Sequence, residues 1–257
     1  MRLGQCYNFH DFRCMARQRL PGPIFDYIDG GADDEVSCRR NTAAFEACDL
    51  VPNVLRGVAE VDMSVTVMGQ KLAMPVYCSP TALQRLFHLK LDGGALSISR
   101  YFTEMLDPSM SWHEVAEMVR LWDGPFCLKG IMSVEDARRA AEIGCSAIAL
   151  SNHGGRQLDG SRSAFDQLAE IVDAVGDRID VMMDGGIQRG THVLKALSLG
   201  AKAVGLGRYY LFPLAAGGQP AVERALDLMR IEIERGMKLM GCTSIAQLTR
   251  QNIRLRS

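Results

Sequence analysis

A chain of 257 residues is long enough for one large domain or two small ones. Its 47% hydrophobic and 23% charged residues suit a soluble globular enzyme, and a formal net charge of -1 gives no reason to expect nucleic acid or an acidic membrane as partner. No apolar run reaches the roughly 18 residues of a membrane span, and the opening "MRLGQCYNFHDFRCMARQRL" has no signal-peptide core. The eight cysteines show neither C-x-x-C nor zinc-like spacing. They read as reduced, mostly buried thiols of a cytosolic protein, and no metal site is expected.

In chain order, residues 10–30 predict a helix running into a turn, broken at Pro21 and Pro23 and closed by "DGGAD". "VDMSVTVMGQKLAMPVYCSPT" alternates apolar and polar residues and then turns continuously apolar, which predicts a hairpin leading into a core strand. From Ser111 onward short apolar strands alternate with helices. Helices over about 111–122, over "VEDARRAAEIG", over about 163–175, over "THVLKALSLGA" and over about 219–240 alternate with "FCLKG", "AIALSN", "IDVMMDGG" and "AVGLGR". This alternation predicts an α/β fold with a parallel sheet buried on both faces, whose site lies at the carboxyl ends of the strands.

The reactive residues stand at those ends. Lys129 closes "FCLK", Ser151 and His153 follow "AIAL", Asp184 follows "DVMM", and Gly207 and Arg208 follow "AVGL". Four successive strands ending this way point to one shared site. The glycine-rich turns "DGGIQRG" and "GLGR" lead into helices and suit a phosphate, with Arg189 or Arg208 adding charge; tight turns alone are the bland alternative. His153 is the natural general base, and Arg156 offers a fork for a carboxylate. A loop histidine capping the next helix is the competing reading. A lysine at a buried strand end needs a partner: an anionic or electron-accepting group such as a reduced flavin, or a structural ion pair with Asp184.

"SNHGGRQLDG" resembles the active-site signature of the FMN-dependent α-hydroxy-acid oxidases and dehydrogenases. "FDYIDGGADDE", "MPVYCSPTAL", "DGGIQRGTHVLKALSLGA" and "VGLGR" match in family order, and "DPSMSWHEVAEMVRLWDGPFCLKGI" is most similar to the bacterial L-lactate dehydrogenases. The resemblance implies a TIM (β/α)8 barrel carrying FMN, treated as one domain over residues 1–257 with an N-terminal extension of about residues 1–74. It implies oxidation of an L-2-hydroxy acid, with lactate the expected substrate, to the 2-oxo acid. His153 would be the catalytic base, with Arg156 and Tyr27 binding substrate. Pro80, Thr81, Ala82, Lys129, Ser151, Asp184, Gly185, Gly186, Arg189, Gly207 and Arg208 would hold FMN, Lys129 stabilising negative charge on the reduced ring. Gln188 stands where many members have the first of two arginines, and Arg189 keeps the second. A homo-oligomer is implied, with oxygen, quinone or cytochrome as acceptor, in the cytoplasm or peripherally on the inner membrane.

The chain departs from the family in its middle. Three further strands with their helices belong between "MPVYCSPTAL" and "DPSMSW", where only residues 84–106 stand. An aspartate that orients the catalytic histidine belongs to the absent stretch. Five strands, the first and the fifth to eighth, cannot close at the shear and tilt of eight, so an incomplete or distorted barrel with open edges is expected. Three readings remain: an FMN-dependent dehydrogenase, a catalytically impaired remnant that keeps at most FMN or phosphate binding, and a different phosphate-binding TIM-barrel enzyme.

Overall fold

The computed structural model describes residues 2–82 and 107–256. The shortened middle, residues 84–106, lies outside the described residues.

The N-terminal segment contributes helices α1 (Phe9–Arg19), α2 (Gly22–Asp29) and α3 (Val36–Ala43). Asn8 caps α1 by accepting the Asp11 N–H at 3.1 Å. The prolines do not end a helix in a turn as expected; Pro21 caps α2 and Pro23 stands in its first turn. Proline's fixed φ and missing N–H suit a helix start, so it separates two helices here. Strand β1 (Cys48–Leu50) pairs antiparallel with the last strand, β9 (Ile253–Leu255). The expected hairpin is β2 (Val65–Val67) and β3 (Gln70–Leu72), turning through Met68 and Gly69, both at positive φ. That pair of left-handed residues matches the twist of the flanking strands.

The core strand after it is β4 (Val76–Cys78). Helices α4 (Trp112–Trp122), α5 (Val134–Glu142), α6 (Ala164–Val175) and α7 (Gly190–Ser198) alternate with β5 (Cys127–Ile131), β6 (Ala147–Leu150), β7 (Asp180–Asp184) and β8 (Ala203–Leu206). Ser111, Ser133 and Ser163 cap α4, α5 and α6 through their hydroxyls. After β8 the sequence makes α8 (Arg208–Gly217), which the sequence reading missed, and then α9 (Gln219–Met240).

The five strands form one parallel sheet in the order β4-β8-β7-β6-β5. Strands β4 and β5 do not become neighbours; each is an edge among the described residues. One face packs Ile148, Leu150, Val181, Met183, Val204 and Leu206 against the helices. Each such side chain, fully buried, stabilises the fold by about 1.5–3 kcal/mol. The other face is lined by small residues, Ala147, Ala149 and Ala203 with Met182, and Val67 of the hairpin plugs its lower end. Burial falls from the centre outward: every residue of β6 and β8 is buried, whereas Cys127, Leu128 and Lys129 of β5 are only partly covered. Beside β5, helix α4 buries Val115 but leaves Met118, Leu121 and Trp122 exposed. Among the described residues no further strand pairs with this edge of the sheet.

Candidate active site

Four strand ends meet around the carboxylate of Asp184. Ser79, just past β4, donates to Asp184 Oδ2 at 2.9 Å, and Ser151, just past β6, donates to Oδ1. From β5, Lys129 Nζ lies 3.2 Å from Oδ2 and donates to Ser151 Oγ at 2.7 Å. The ion pair named as an alternative for Lys129 is therefore formed. It leaves the ammonium partly exposed, at 28% of its side-chain surface, while Asp184 is buried. A buried carboxylate with three donors avoids the desolvation penalty of an unpaired one.

The chain then leaves β6 through three left-handed residues, His153 (φ 56°), Gly154 (φ 68°) and Gly155 (φ 75°). The His153 N–H donates to Ser151 Oγ at 3.1 Å, so the imidazole is anchored to the same cluster. A non-glycine residue held in this region is a strain that the surroundings must support. Gly155 is needed for close approach: a Cβ there would lie 2.4 Å from the backbone N of Cys38, and one at Gly186 would lie 2.1 Å from the carbonyl of Asn41. Helix α3 rests on both glycines, and Asn41 and Asn152 exchange two amide hydrogen bonds of 2.8 Å across that contact.

Burial lowers the His153 pKa below the usual imidazole value, and the positive charges of Lys129, Arg156 and Arg208 lower it further, against an opposing pull from Asp184. The ring is thus held neutral, the state a base requires. Its Nδ1 lies 3.3 Å from the Gln157 amide, and no carboxylate is hydrogen-bonded to it among the described residues. The amide nitrogen faces Nδ1, so in this orientation Nδ1 accepts and Nε2 carries the ring proton; rotating the amide puts its oxygen at Nδ1–H and frees Nε2 as the base.

Arg156 stacks its guanidinium 4.7 Å from the Tyr27 ring and donates to the carbonyls of Tyr27 and Gly30 at 2.5 and 2.9 Å. Arg208 is more deeply placed and donates to Ile28, Gly154 and Gly30 carbonyls at 2.8, 3.0 and 2.6 Å. The two guanidinia share the carbonyl of Gly30 and fasten the end of α2 over the strand ends. Thr81 is hydrogen-bonded to Tyr210, whose hydroxyl also donates to the Ser79 carbonyl, while Pro80 is exposed and Ala82 is exposed beside them. Tyr27, Lys129, Ser151, His153, Arg156, Asp184 and Arg208 are thus brought to one place. Arg189 is not: its guanidinium pairs with Glu232 at 3.0 Å.

Sequence reasoning missed four contributors. Ser79 was legible only as the residue before Pro80. Gln157 sits one turn of chain beyond His153. Thr42 ties the "DGGIQRG" turn to α3 by donating to the Gly186 carbonyl and accepting from Gln188 Nε2, each at 3.2 Å. His192 stacks on Phe45 at 4.4 Å and meets the same turn at Gly186 and Gln188.

An ammonium beside two hydroxyls, on a face otherwise lined by small residues, is chemistry suited to the electron-rich edge of a flavin ring. The cap of α8 is open, since a Cβ at Gly207 would meet nothing within 4 Å. The ring end of the site therefore fits FMN. At the phosphate end the side chains have protein partners instead.

This geometry defines the class, and the comparisons agree. Residues 16–99 and 89–255 match the family model described as FMN-dependent dehydrogenase, and the chain belongs to that family, whose cofactor is FMN. Its fold is an incomplete TIM barrel of the flavoenzyme type. The chain is 30% identical to an L-lactate dehydrogenase (cytochrome) of Wickerhamomyces anomalus, over 99% of this chain and 62% of that protein. It is 29% identical to 2-hydroxyacid oxidase 1 of Homo sapiens, over 97% of this chain and 96% of that protein. Among solved structures, a flavocytochrome b2 variant superposes with a TM-score of 0.91 at 30% identity, covering 99% of this chain and 88% of that one. A mandelate oxidase bound to benzoyl-formic acid gives 0.87 at 30% identity, covering 98% and 99%. The Wickerhamomyces alignment runs over 358 positions against 257 residues here, so the relative has segments opposite which this chain has none. The two matched blocks of the family model meet at residues 89–99, within the shortened middle.

Proposed function

We propose that this chain oxidises a small L-2-hydroxy acid, lactate first, to the 2-oxo acid with FMN. The observation that carries the reading is the convergence of a neutral imidazole (His153), a carboxylate fork (Arg156) and an ammonium (Lys129) at the ends of adjacent strands. Tyr27 and Arg156 bind the substrate carboxylate and fix the α-carbon. His153 takes a proton, either from the hydroxyl or from the α-carbon. Lys129, held in place by Ser151 and Asp184 with Ser79 behind them, would stabilise negative charge on the reduced ring. FMN, when bound, receives the two electrons that leave the substrate. Pro80, Thr81 and Ala82 would lie along the ring, and the turns at Gly185, Gly186 and Gly207 would hold the ribityl chain and phosphate. The electron acceptor is oxygen, a quinone or a cytochrome, and the setting is a cytoplasmic homo-oligomer or a peripheral place on the inner membrane.

One observation favours a second reading, a remnant that binds flavin without turnover. The partner of Nδ1 is an amide rather than a carboxylate, and an amide stabilises the imidazolium formed in the reaction far less. Purified protein loaded with FMN and mixed anaerobically with L-lactate separates the two: bleaching of the yellow colour supports the dehydrogenase, and a stable yellow complex supports the remnant. In the first case His153→Gln abolishes bleaching and keeps the flavin; bleaching that survives the substitution refutes the assigned base.

A further inference from the structure

The chain leaves β4 at Ser79, which is buried at 5% exposure and fixed at both backbone groups. Its N–H donates to the Leu206 carbonyl at 2.9 Å, and its carbonyl accepts from the Tyr210 hydroxyl at 3.2 Å. With the backbone held, the side chain has one aim: its hydroxyl donates at 2.9 Å to Asp184 Oδ2. That oxygen is the one 3.2 Å from Lys129 Nζ, so a neutral donor and a cation share it. Gly205 on β8 makes the room, since a Cβ there would lie 2.2 Å from Ser79 Oγ and 2.9 Å from Asp184 Cβ. Among the described residues no backbone group is hydrogen-bonded to the Ser79 hydroxyl, so its role lies in the charge it meets.

A buried carboxylate must be compensated where water does not reach it, and each donor it loses throws more of that task on the others. Without the serine hydroxyl, Oδ2 is left to Lys129 alone and draws the ammonium more firmly to itself. An ammonium neutralised more completely by its own carboxylate projects less positive potential onto anything else nearby. A lysine ammonium carries three donors, of which Ser151 Oγ takes one at 2.7 Å and Asp184 another. The donor that remains is the one that can serve a ligand.

We propose that Ser79 is a positioning residue that sets the reduction potential of the flavin: by holding part of the Asp184 charge, it keeps the Lys129 ammonium available to the reduced ring. The inference rests on the flavin reading given above. Reduction places negative charge on the ring, so a more available ammonium favours the reduced form over the oxidised one. Removing the hydroxyl acts on that preference and not on the ring's shape or stacking. A hydrogen bond to a charged group shifts an equilibrium by about ten- to a hundredfold, and transmission through Asp184 and Lys129 leaves the lower end, about tenfold.

The test is anaerobic reduction of the FMN-loaded full chain in equilibrium with a dye of known potential, with both chromophores followed by absorbance. Ser79→Ala is expected to lower the ratio of reduced to oxidised flavin at a fixed potential by about tenfold, which is about 30 mV for a two-electron couple. Ser79→Thr keeps the hydroxyl and is expected to stay within about twofold of the unmodified chain. Ser79→Cys is close in size but a weaker donor, and is expected to fall between the two at about threefold, so the series is readable even where the alanine variant holds no flavin. A cysteine variant indistinguishable from the unmodified chain, or a threonine variant shifted as far as the alanine one, overturns the inference while leaving the flavin reading intact. An unmodified chain that takes up no FMN overturns the flavin reading and this inference with it.

Discussion

Replacing His192 by asparagine removes an imidazole that the fold keeps uncharged. The ring lies stacked on Phe45 with an interplanar angle of 4°, and Nδ1 meets the Gly186 carbonyl and the Gln188 N–H. Burial pushes its pKa down from 6.5 to about 4, with Lys195 and Arg189 adding to the effect and the Gly186 carbonyl opposing it. The unfolded chain therefore binds this proton at a higher pH than the folded one, so stability from His192 is present above about 6.5 and is lost as pH falls toward about 4. At 1.36 kcal/mol per unit the full window is about 3 kcal/mol, of which about 2 kcal/mol falls between about pH 7 and about pH 5. Urea unfolding of the unmodified chain and of His192→Asn at those two pH values measures it. The variant is less stable at neutral pH because it loses the Phe45 contact, but the gap between the two proteins narrows by about 2 kcal/mol on acidification. A gap that stays constant to within about 0.5 kcal/mol refutes the buried neutral imidazole.

Three further outcomes are expected. Lys129→Ala leaves the Asp184 carboxylate buried without its cation and lowers stability by about 2 kcal/mol after allowance for the partial exposure of Lys129, more than Ser151→Ala does; equal losses in denaturant unfolding contradict the ion pair's role. Gln157→Glu places a carboxylate at Nδ1 of His153 and raises that imidazole's pKa by about one unit, read from ring-proton NMR; an unmoved titration means the contact does not form. Leu121→Lys with Met118→Lys replaces apolar surface on α4 by charge and reduces self-association, measured by light scattering; unchanged scattering shows that this face is not sticky.

Local signals were legible where local physics decides. Ser111, Ser133 and Ser163 each precede an apolar-periodic run and each caps a helix. Helix α9 spans 219–240 as its periodicity predicts. The active-site stretch was visible because its residue types are unusual together. What failed depends on distant partners or on backbone shape. Helix α3 has a weak apolar pattern and is held by Gly155 and Gly186, more than a hundred positions away in sequence. Helix α8 starts within the turn that was read as a phosphate loop. Arg208 was legible as a cation at a strand end, but nothing in the sequence reveals that the end of α2 packs on it.

The aromatic contacts of the N-terminal helices carry a consequence for biosynthesis. Phe9 and Phe25 meet Phe212 at 5.3 and 5.9 Å. On the ribosome these rings emerge well before their partner, about two hundred positions later in sequence, while Cys48 waits longer still for Leu255. Such long-range closure slows folding and leaves greasy surface uncovered meanwhile. A nascent chain of this kind keeps apolar rings uncovered until the helix that carries Phe212 has emerged.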